Sequence, residues 1–179
     1  MDETLRRLNE LDVAAEKKET FKSFNDAVNG LKPFLLTTES IDPSEVGFQF
    51  NGSARFKLGD NDYPTTSWGI KSLCKILKIP DPFAKAIPVD LLKYNIDRLS
   101  KTYTGEGGLS VSFDVDGNIV GFTKPNYRPL RNIDLLPRLA DRFKDIENSK
   151  IEVSVRNVIA SFTNDMITEQ LEPIVGDIT

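Results

Sequence analysis

The stretch Leu109–Thr123, LSVSFDVDGNIVGFT, decides the fold class. From 109 to 113 apolar residues alternate with serine, the period-two pattern of a strand with one buried face. Asp116-Gly117 then favours a tight turn, because glycine adopts positive φ angles without steric cost. The second arm, Asn118–Thr123, is again rich in strand-forming residues. This stretch therefore predicts an antiparallel β-hairpin.

Upstream of the hairpin, the spacing of apolar residues changes to that of a helix. Thr66 or Ser67 is a plausible N-cap for a helix that reaches about Lys78. Its apolar residues Ile70, Leu73, Cys74 and Leu77 fall on one face, and Lys71, Lys75 and Lys78 fall on another. The sequence predicts a helix with one core face and one basic face.

The rest of the chain alternates between segments with the period-two pattern of strands and segments with helical spacing. Asn51-Gly52-Ser53 predicts a second hairpin turn, and helical spacing follows Pro88. A further helix is predicted from near Asn132 to Glu147, and strands are predicted at 151–155 and 158–162. We therefore expect an α+β fold in which antiparallel hairpins pack against several helices, with an additional N-terminal helix.

The N-terminal residues 2–29 are interpreted as one long helix or two short ones, which Gly30 ends. The domain organisation predicted on this basis is an N-terminal helical segment, 1–30, followed by an α+β domain, 31–179. The centre of the segment is too polar to be buried on all sides. Its first turns are therefore expected to form a mobile arm or a homo-oligomer contact.

Composition excludes the commonest catalytic machinery. The chain has no His and one Cys, which rules out Ser-His and Cys-His nucleophile pairs, His-bound metals and an internal disulfide. Cys74 lies among apolar helix positions and is expected to be a buried, unreactive thiol. We expect no cofactor and favour a non-enzymatic protein. No apolar run could span a membrane, so we expect a cytoplasmic protein.

Charge is unevenly distributed along the chain. The formal net charge is −4, yet residues 54–101 carry nine basic against five acidic side chains. A second basic cluster is the irregular stretch that follows the hairpin, where Tyr127 could stack a base. Alternatively, Tyr127 anchors this loop in the core and its arginines cap the acidic surface that follows. The candidate nucleic-acid-binding residues are Lys71, Lys75, Lys78, Lys124, Tyr127, Arg128 and Arg131.

Acidic and glycine-rich stretches give two weaker alternatives. Asp60 and Asp62 could join Asp114 and Asp116 in a carboxylate metal site, although such pairs are common in turns. Gly105-Glu106-Gly107-Gly108 could cradle a phosphate, but no Gly-Lys-Ser/Thr follows it and the next element is a predicted strand. We predict a turn at the acidic pairs and a connecting loop at the glycines.

Two stretches of the chain resemble the phage/plasmid-like proteins known as domain of unknown function 932. They are the run Thr66–Pro80 with Phe83 and Ile87-Pro88, and Tyr127-Arg128-Pro129-Leu130 with Asn132. The resemblance covers roughly residues 45–179 and implies a phage or mobile-element setting beside DNA replication and recombination. Because the chain stops at the point where that family enters its C-terminal half, we expect it to be the front part of a longer protein.

Together these features predict a non-catalytic phage-type accessory protein, located in the host cytoplasm. It would bind nucleic acid, or a protein that processes nucleic acid, through the lysine face and the Tyr127 loop. The alternative is a protein-interaction or host-takeover factor that acts on a host protein. A third alternative is a metal-dependent nuclease built on the acidic pairs.

Overall fold

The computed structural model of the chain describes residues 6–127, 131–143 and 149–162. In these residues nine strands form three antiparallel sheets, accompanied by five α-helices. The strands are β1 (Lys18–Phe21), β2 (Thr37–Ile41), β3 (Val46–Asn51), β4 (Ser53–Leu58), β5 (Asn61–Pro64), β6 (Leu109–Phe113), β7 (Ile119–Thr123), β8 (Ser149–Ser154) and β9 (Val158–Phe162). The helices are α1 (Phe24–Asn29), α2 (Ser67–Ile76), α3 (Asp81–Ala86), α4 (Val89–Lys101) and α5 (Asn132–Arg142).

The chain divides into two compact units, and each is made of two separate segments. The first contains Met1–Glu16 and Leu36–Pro129, and the second contains Lys17–Leu35 and Leu130–Thr179. The predicted α+β class is confirmed, because both helices and antiparallel hairpins are present.

The first unit contains the sheets β3-β4-β5 and β2-β6-β7. The hairpin predicted at Leu109–Thr123 is confirmed as β6 and β7. Its turn is closed by Asp114, whose Oδ1 accepts hydrogen bonds from the backbone N–H groups of Asp116 (3.0 Å) and Asn118 (2.8 Å). The second predicted hairpin is confirmed as β3 and β4, with Gly52 at a φ of 75°. Both hairpins place apolar side chains in one core.

The second unit contains the sheet β1-β8-β9 with α1 and α5. The rings of Phe24 and Phe143 stack with centroids 5.7 Å apart. Lys18 on β1 pairs with Glu152 on β8, with Nζ and Oε2 2.7 Å apart. The predicted helix at 132 begins at Asn132 and is described as far as Arg142, while residues 144–148 lie outside the described part.

The predicted N-terminal helix is wrong. Between residues 6 and 23 there is no α-helix: Leu8–Glu10 form one 3-10 turn, and Lys18–Phe21 form the extended strand β1. The first α-helix begins at Phe24, capped by Ser23, whose hydroxyl accepts a hydrogen bond from the Asp26 N–H. Pairing of β1 with β8, more than a hundred residues away, outweighs the local helical spacing.

The early leucines of that segment have a different role from the predicted arm. Leu8 and Leu11 are buried in the core of the first unit. The backbone of Asp12 also bonds to the hairpin, with the Ala54 N–H donating to its carbonyl at 2.8 Å. The helix on which the predicted homo-oligomer contact depended is therefore absent from the described residues.

Candidate functional site

A groove of about 500 Å³ runs along α2 and the turn that follows it. One wall includes Trp68, Lys71 and Lys75, whose spacing of three and four places them on one face of α2, and Lys78, which follows the end of the helix. The other lining residues are Leu8, Cys74, Ile79, Pro80, Asp81 and Ala84. Most of these are buried and apolar, so the groove has an apolar floor and a basic rim.

Close packing on β7 holds α2 in place. The Ser72 hydroxyl donates to the Gly69 carbonyl at 2.9 Å and accepts from the Phe122 N–H at 2.8 Å. A Cβ at Gly69 would lie 2.2 Å from Thr65 Oγ1 and 2.8 Å from the Ile119 carbonyl oxygen, so only glycine fits there. The helix is thus anchored by one face, while another face carries the groove residues.

The end of α2 places a lysine in a conformation that glycine usually adopts. Lys78 has a φ of 59°, and no other described residue except glycines has a positive φ. The Ile79 N–H bonds to the Cys74 carbonyl at 2.8 Å, and the Lys78 N–H bonds to the Lys75 carbonyl at 3.2 Å. These two bonds define a Schellman motif, whose left-handed residue is most often Gly. The groove therefore includes a lysine held at a conformational cost.

Trp68 is the one tryptophan of the chain, and its side chain is 40% exposed in the first turn of α2. Its indole lies beside β7, since a Cβ at Gly121 would be 3.5 Å from Trp68 Cδ1 and 3.6 Å from Nε1. Sequence reasoning missed this residue. Its spacing from Lys71 could have identified it, because residues three apart share a helical face.

The lysine row predicted from the sequence is brought together by the groove. In the described part of the chain, Lys71, Lys75 and Lys78 form neither ion pairs nor side-chain hydrogen bonds. The acidic lining residue, Asp81, forms an ion pair with Lys85 one turn along α3. The rim therefore carries three positive charges, and its carboxylate already has a partner.

The loop after β7 is placed only in part. Lys124 and Tyr127 are exposed and do not line the groove, and Arg128 lies outside the described residues. Tyr127 is 59% exposed, so the alternative that it anchors the loop in the core is wrong.

β7 runs in the same direction as α2, because Ile119 bonds to the start of the helix and Phe122 bonds farther along it. Lys124 therefore follows β7 towards the end of α2 where Lys78 lies.

Arg131 has a local structural role in the second unit. Its guanidinium bonds to both carboxylate oxygens of Asp134, at 2.8 Å and 3.3 Å. These hydrogen bonds and the charge of Asp134 raise the pKa of Arg131 above its ordinary value. The alternative prediction, that an arginine of this stretch caps the acidic surface that follows, is confirmed for Arg131.

Cys74 lies in the floor of the groove, and its predicted burial is confirmed at 3% exposure. Burial, together with the nearby Asp81 carboxylate, raises the pKa of the Cys74 thiol to about 12. Because the thiolate is the reactive form, this cysteine is unreactive near neutral pH. It contributes apolar surface to the groove.

Asp60 and Asp116 lie in turns, as predicted, whereas Asp62 lies on a strand. Asp114 is buried, and beyond its two backbone bonds its Oδ2 accepts from Asn118 Nδ2 at 3.0 Å. Asp62 lies on β5, where its backbone carbonyl accepts a hydrogen bond from Arg55 at 3.1 Å. Among the described residues, no three His, Cys, Asp or Glu side chains form a group that could hold a metal ion.

A second cavity, of about 450 Å³, lies beside the glycine-rich loop. Its lining residues are Ser40, Ile41, Asp42, Pro43, Tyr103, Gly105, Gly107 and Gly108. This described lining contains a carboxylate and no basic side chain, so it is poorly suited to a phosphate.

No family model matches the chain, and no curated protein or solved structure matches it. The resemblance to the phage/plasmid-like family stays a prediction from short motifs, and the functional argument rests on the groove. Across the described ranges, no helix is both long and apolar enough to cross a membrane.

Proposed function

We propose that this protein binds nucleic acid through the groove beside α2, without catalysing a reaction on it. The observation that supports this proposal is the row of three lysines that share a wall with Trp68 above an apolar floor. Lysines supply phosphate contacts, and an aromatic ring supplies a surface on which a base can stack. Lys124 and Tyr127 do not line the groove, so the proposed site consists of the three lysines, Trp68 and the apolar floor.

The dimensions of the lysine row suit a phosphate backbone. The axial rise of an α-helix is about 1.5 Å per residue, so Lys71 and Lys75 are separated by about 6 Å along the axis of α2, and Lys78 follows the end of the helix. In B-form geometry the phosphates of one strand follow each other every ~3.4 Å of axis. The row can therefore contact about three phosphates. Contacts of this number and type correspond to non-specific binding in the micromolar range or weaker.

Charge-removing variants test this proposal. We expect Lys71→Ala and Lys75→Ala each to weaken the binding of a fluorescent oligonucleotide several-fold in low salt, measured by anisotropy. Lys101→Ala is the matched control, because Lys101 is an exposed lysine at the end of α4, away from the groove. Equal weakening by all three variants, or no binding in low salt, would contradict the proposal.

The biological setting remains part of the same proposal. The resemblance to phage/plasmid-like proteins supports a phage-type accessory role in the host cytoplasm, beside DNA replication or recombination. In that setting the ligand is nucleic acid itself or a complex of nucleic acid with a processing protein. Co-purification that is lost after nuclease treatment would assign the contact to the nucleic acid.

A second candidate function, binding of a host protein, is favoured by exposed apolar side chains. Leu91 and Tyr94 lie one turn apart on α4, 44% and 59% exposed, and Phe83 on α3 is 46% exposed. A partner that is captured by the wild-type protein and by Lys71→Ala, but not by Leu91→Lys, would support this candidate. Loss of capture with Lys71→Ala would favour the groove instead.

A further inference from the structure

We propose that the groove takes an unpaired nucleobase against Trp68, and that the ligand is therefore single-stranded nucleic acid. This inference rests on the proposed function and specifies its ligand. A duplex and a single strand both offer phosphates to the lysine row, so the lysines alone do not distinguish them. The distinction comes from the remaining surfaces of the groove.

The first supporting observation is the position of the indole. Trp68 projects from the first turn of α2, partly exposed, at the same groove as the lysines. Its Cδ1–Nε1 edge lies beside Gly121 on β7, so the strand restricts the ring from one side. In a duplex each base face is covered by its neighbours, whereas an unpaired base can place its face on an aromatic ring.

The second observation is the apolar floor. Leu8, Cys74, Ile79 and Ala84 are buried beneath the groove, and about 500 Å³ lies above them. A site that contacts only phosphates needs no such concave apolar surface. Cavities of this size and lining are typical of sites that enclose a flat organic group. The groove therefore fits a base flanked by phosphates.

The third observation is the backbone of Lys78. Its left-handed conformation costs conformational energy that glycine would avoid. The Lys78 side chain nevertheless lines the groove, at the opposite end of the row from Trp68. Strained backbone positions cluster at ligand-binding sites. Lys78 places positive charge at the far end of the groove from the stacking surface.

Because Trp68 is the single tryptophan, its fluorescence reports directly on the groove. The probes are an oligothymidine strand, the corresponding duplex of equal length, and an abasic strand with the same number of phosphates. We expect the oligothymidine to quench Trp68 fluorescence and to bind about 10-fold tighter than the abasic strand, from the stacking of one base. The duplex should bind no tighter than the abasic strand and leave the fluorescence unchanged.

Two variants complete the test, with anisotropy of labelled strands as the readout. Trp68→Ala should lower affinity for oligothymidine about 10-fold and leave affinity for the abasic strand unchanged. Trp68→Phe should retain most of the affinity, because a phenyl ring also stacks. Circular dichroism of both variants confirms that they are folded before binding is compared.

The outcomes separate this inference from the proposed function. Equal affinity for the strand, the duplex and the abasic strand, with weakening by Lys71→Ala, would overturn the inference and leave the proposed function intact. Absence of binding to all three probes in low salt would overturn both. Quenching by polyglutamate as strong as that by oligothymidine would also overturn the inference, since it would identify an acidic peptide as the occupant.

Discussion

Among single residues, Lys78 links the stability of the fold to the proposed binding site. The Schellman bonds require a left-handed residue at this point, and a lysine there is strained by about 1 kcal/mol relative to glycine. Three residues earlier, Lys75 lies inside the last turn of α2, with ordinary helical geometry. Both lysines place a positive charge at the groove. The backbone at Lys78 favours glycine, whereas the helical backbone at Lys75 disfavours it.

This difference predicts opposite effects of the same substitution. Lys78→Gly should raise the free energy of unfolding by up to about 1 kcal/mol, since relief of strain exceeds the entropy that glycine adds to the unfolded chain. Lys75→Gly should lower it by about 1 kcal/mol, the cost of glycine within a helix. Urea denaturation measures both values. Destabilisation by Lys78→Gly of the size seen for Lys75→Gly would contradict the strain argument.

The parts of the candidate site that lie on a single helix could be predicted from the sequence. The positions of Lys71 and Lys75 follow from helical periodicity, which sequence shows directly, whereas Lys78 lies beyond the end of the helix at Ile76. The pairing of Arg131 with Asp134 was also readable, since residues three apart can interact near a helix start. The spacing of Trp68 from Lys71 indicates a shared helical face, but the groove that this face borders is formed with Leu8 and α3, and such tertiary neighbours leave no local pattern.

At the scale of elements, the fold depends on how tightly α2 packs on β7. Gly69 is the closest point, where an added methyl would meet a backbone carbonyl as well as a side chain. Gly47 on β3 offers a contrast, because a Cβ there would have its nearest neighbours at 3.8 Å. Both glycines lack a positive φ, so steric space alone distinguishes them.

Gly69→Ala should therefore destabilise the protein by about 1–3 kcal/mol, even though alanine is the better helix former. Gly47→Ala, the matched control, should be neutral or slightly stabilising, because its methyl has room and alanine restricts the unfolded chain. Thermal unfolding followed by circular dichroism compares the two variants. If Gly69→Ala were as stable as Gly47→Ala, close packing of α2 on β7 would be excluded.

Glu152 gives the second unit a pH-dependent element, because it forms ion pairs with Lys150 on the same strand, β8, and with Lys18 on β1. Hydrogen bonds from Lys150 and Lys18 lower the pKa of Glu152 from 4.5 to about 2. The folded state thus favours the ionised carboxylate more than the unfolded state does. The resulting stabilisation is fully present above about pH 4.5 and is lost as the pH falls towards 2.

Glu152→Gln should accordingly lower the melting temperature near neutral pH, and its difference from the wild type should shrink as the pH approaches 2. Glu39→Gln provides the control, because Glu39 is an exposed residue of β2 opposite Val111. A difference between wild type and Glu152→Gln that stays constant with pH would show that the two lysines do not stabilise the carboxylate.

Helices and hairpins whose pattern lies within one stretch of sequence could be predicted, whereas a strand that pairs with a stretch far away in the sequence could not. The hairpin at Leu109–Thr123 carries its own alternation and turn, and α2 carries its own cap and periodicity. The segment Lys18–Phe21 carries neither, since its burial pattern is mostly exposed and its partner strand begins at Ser149. A strand of this kind is specified by pairing with the partner strand, which a local sequence window does not contain.

For the whole molecule, the negative net charge disfavours binding of nucleic acid, whereas the groove lysines favour it. The formal net charge of −4 repels a polyanion, and salt screens that repulsion beyond about 10 Å. Attraction must therefore come from the few cations that contact the ligand directly. The number of these cations can be measured from the dependence of the association constant on salt concentration.

Three lysines that contact a single strand predict a slope of about −2 for the logarithm of the association constant against the logarithm of salt concentration. Each lysine removed should make the slope shallower by about 0.7, so Lys71→Ala/Lys75→Ala should show a slope of about −0.7. Lys101→Ala should keep the wild-type slope, because its charge lies outside the groove. Anisotropy titrations across a salt series measure all three slopes. A wild-type slope that the double variant leaves unchanged would place the contacts elsewhere on the molecule, whereas graded loss would locate the phosphates along α2.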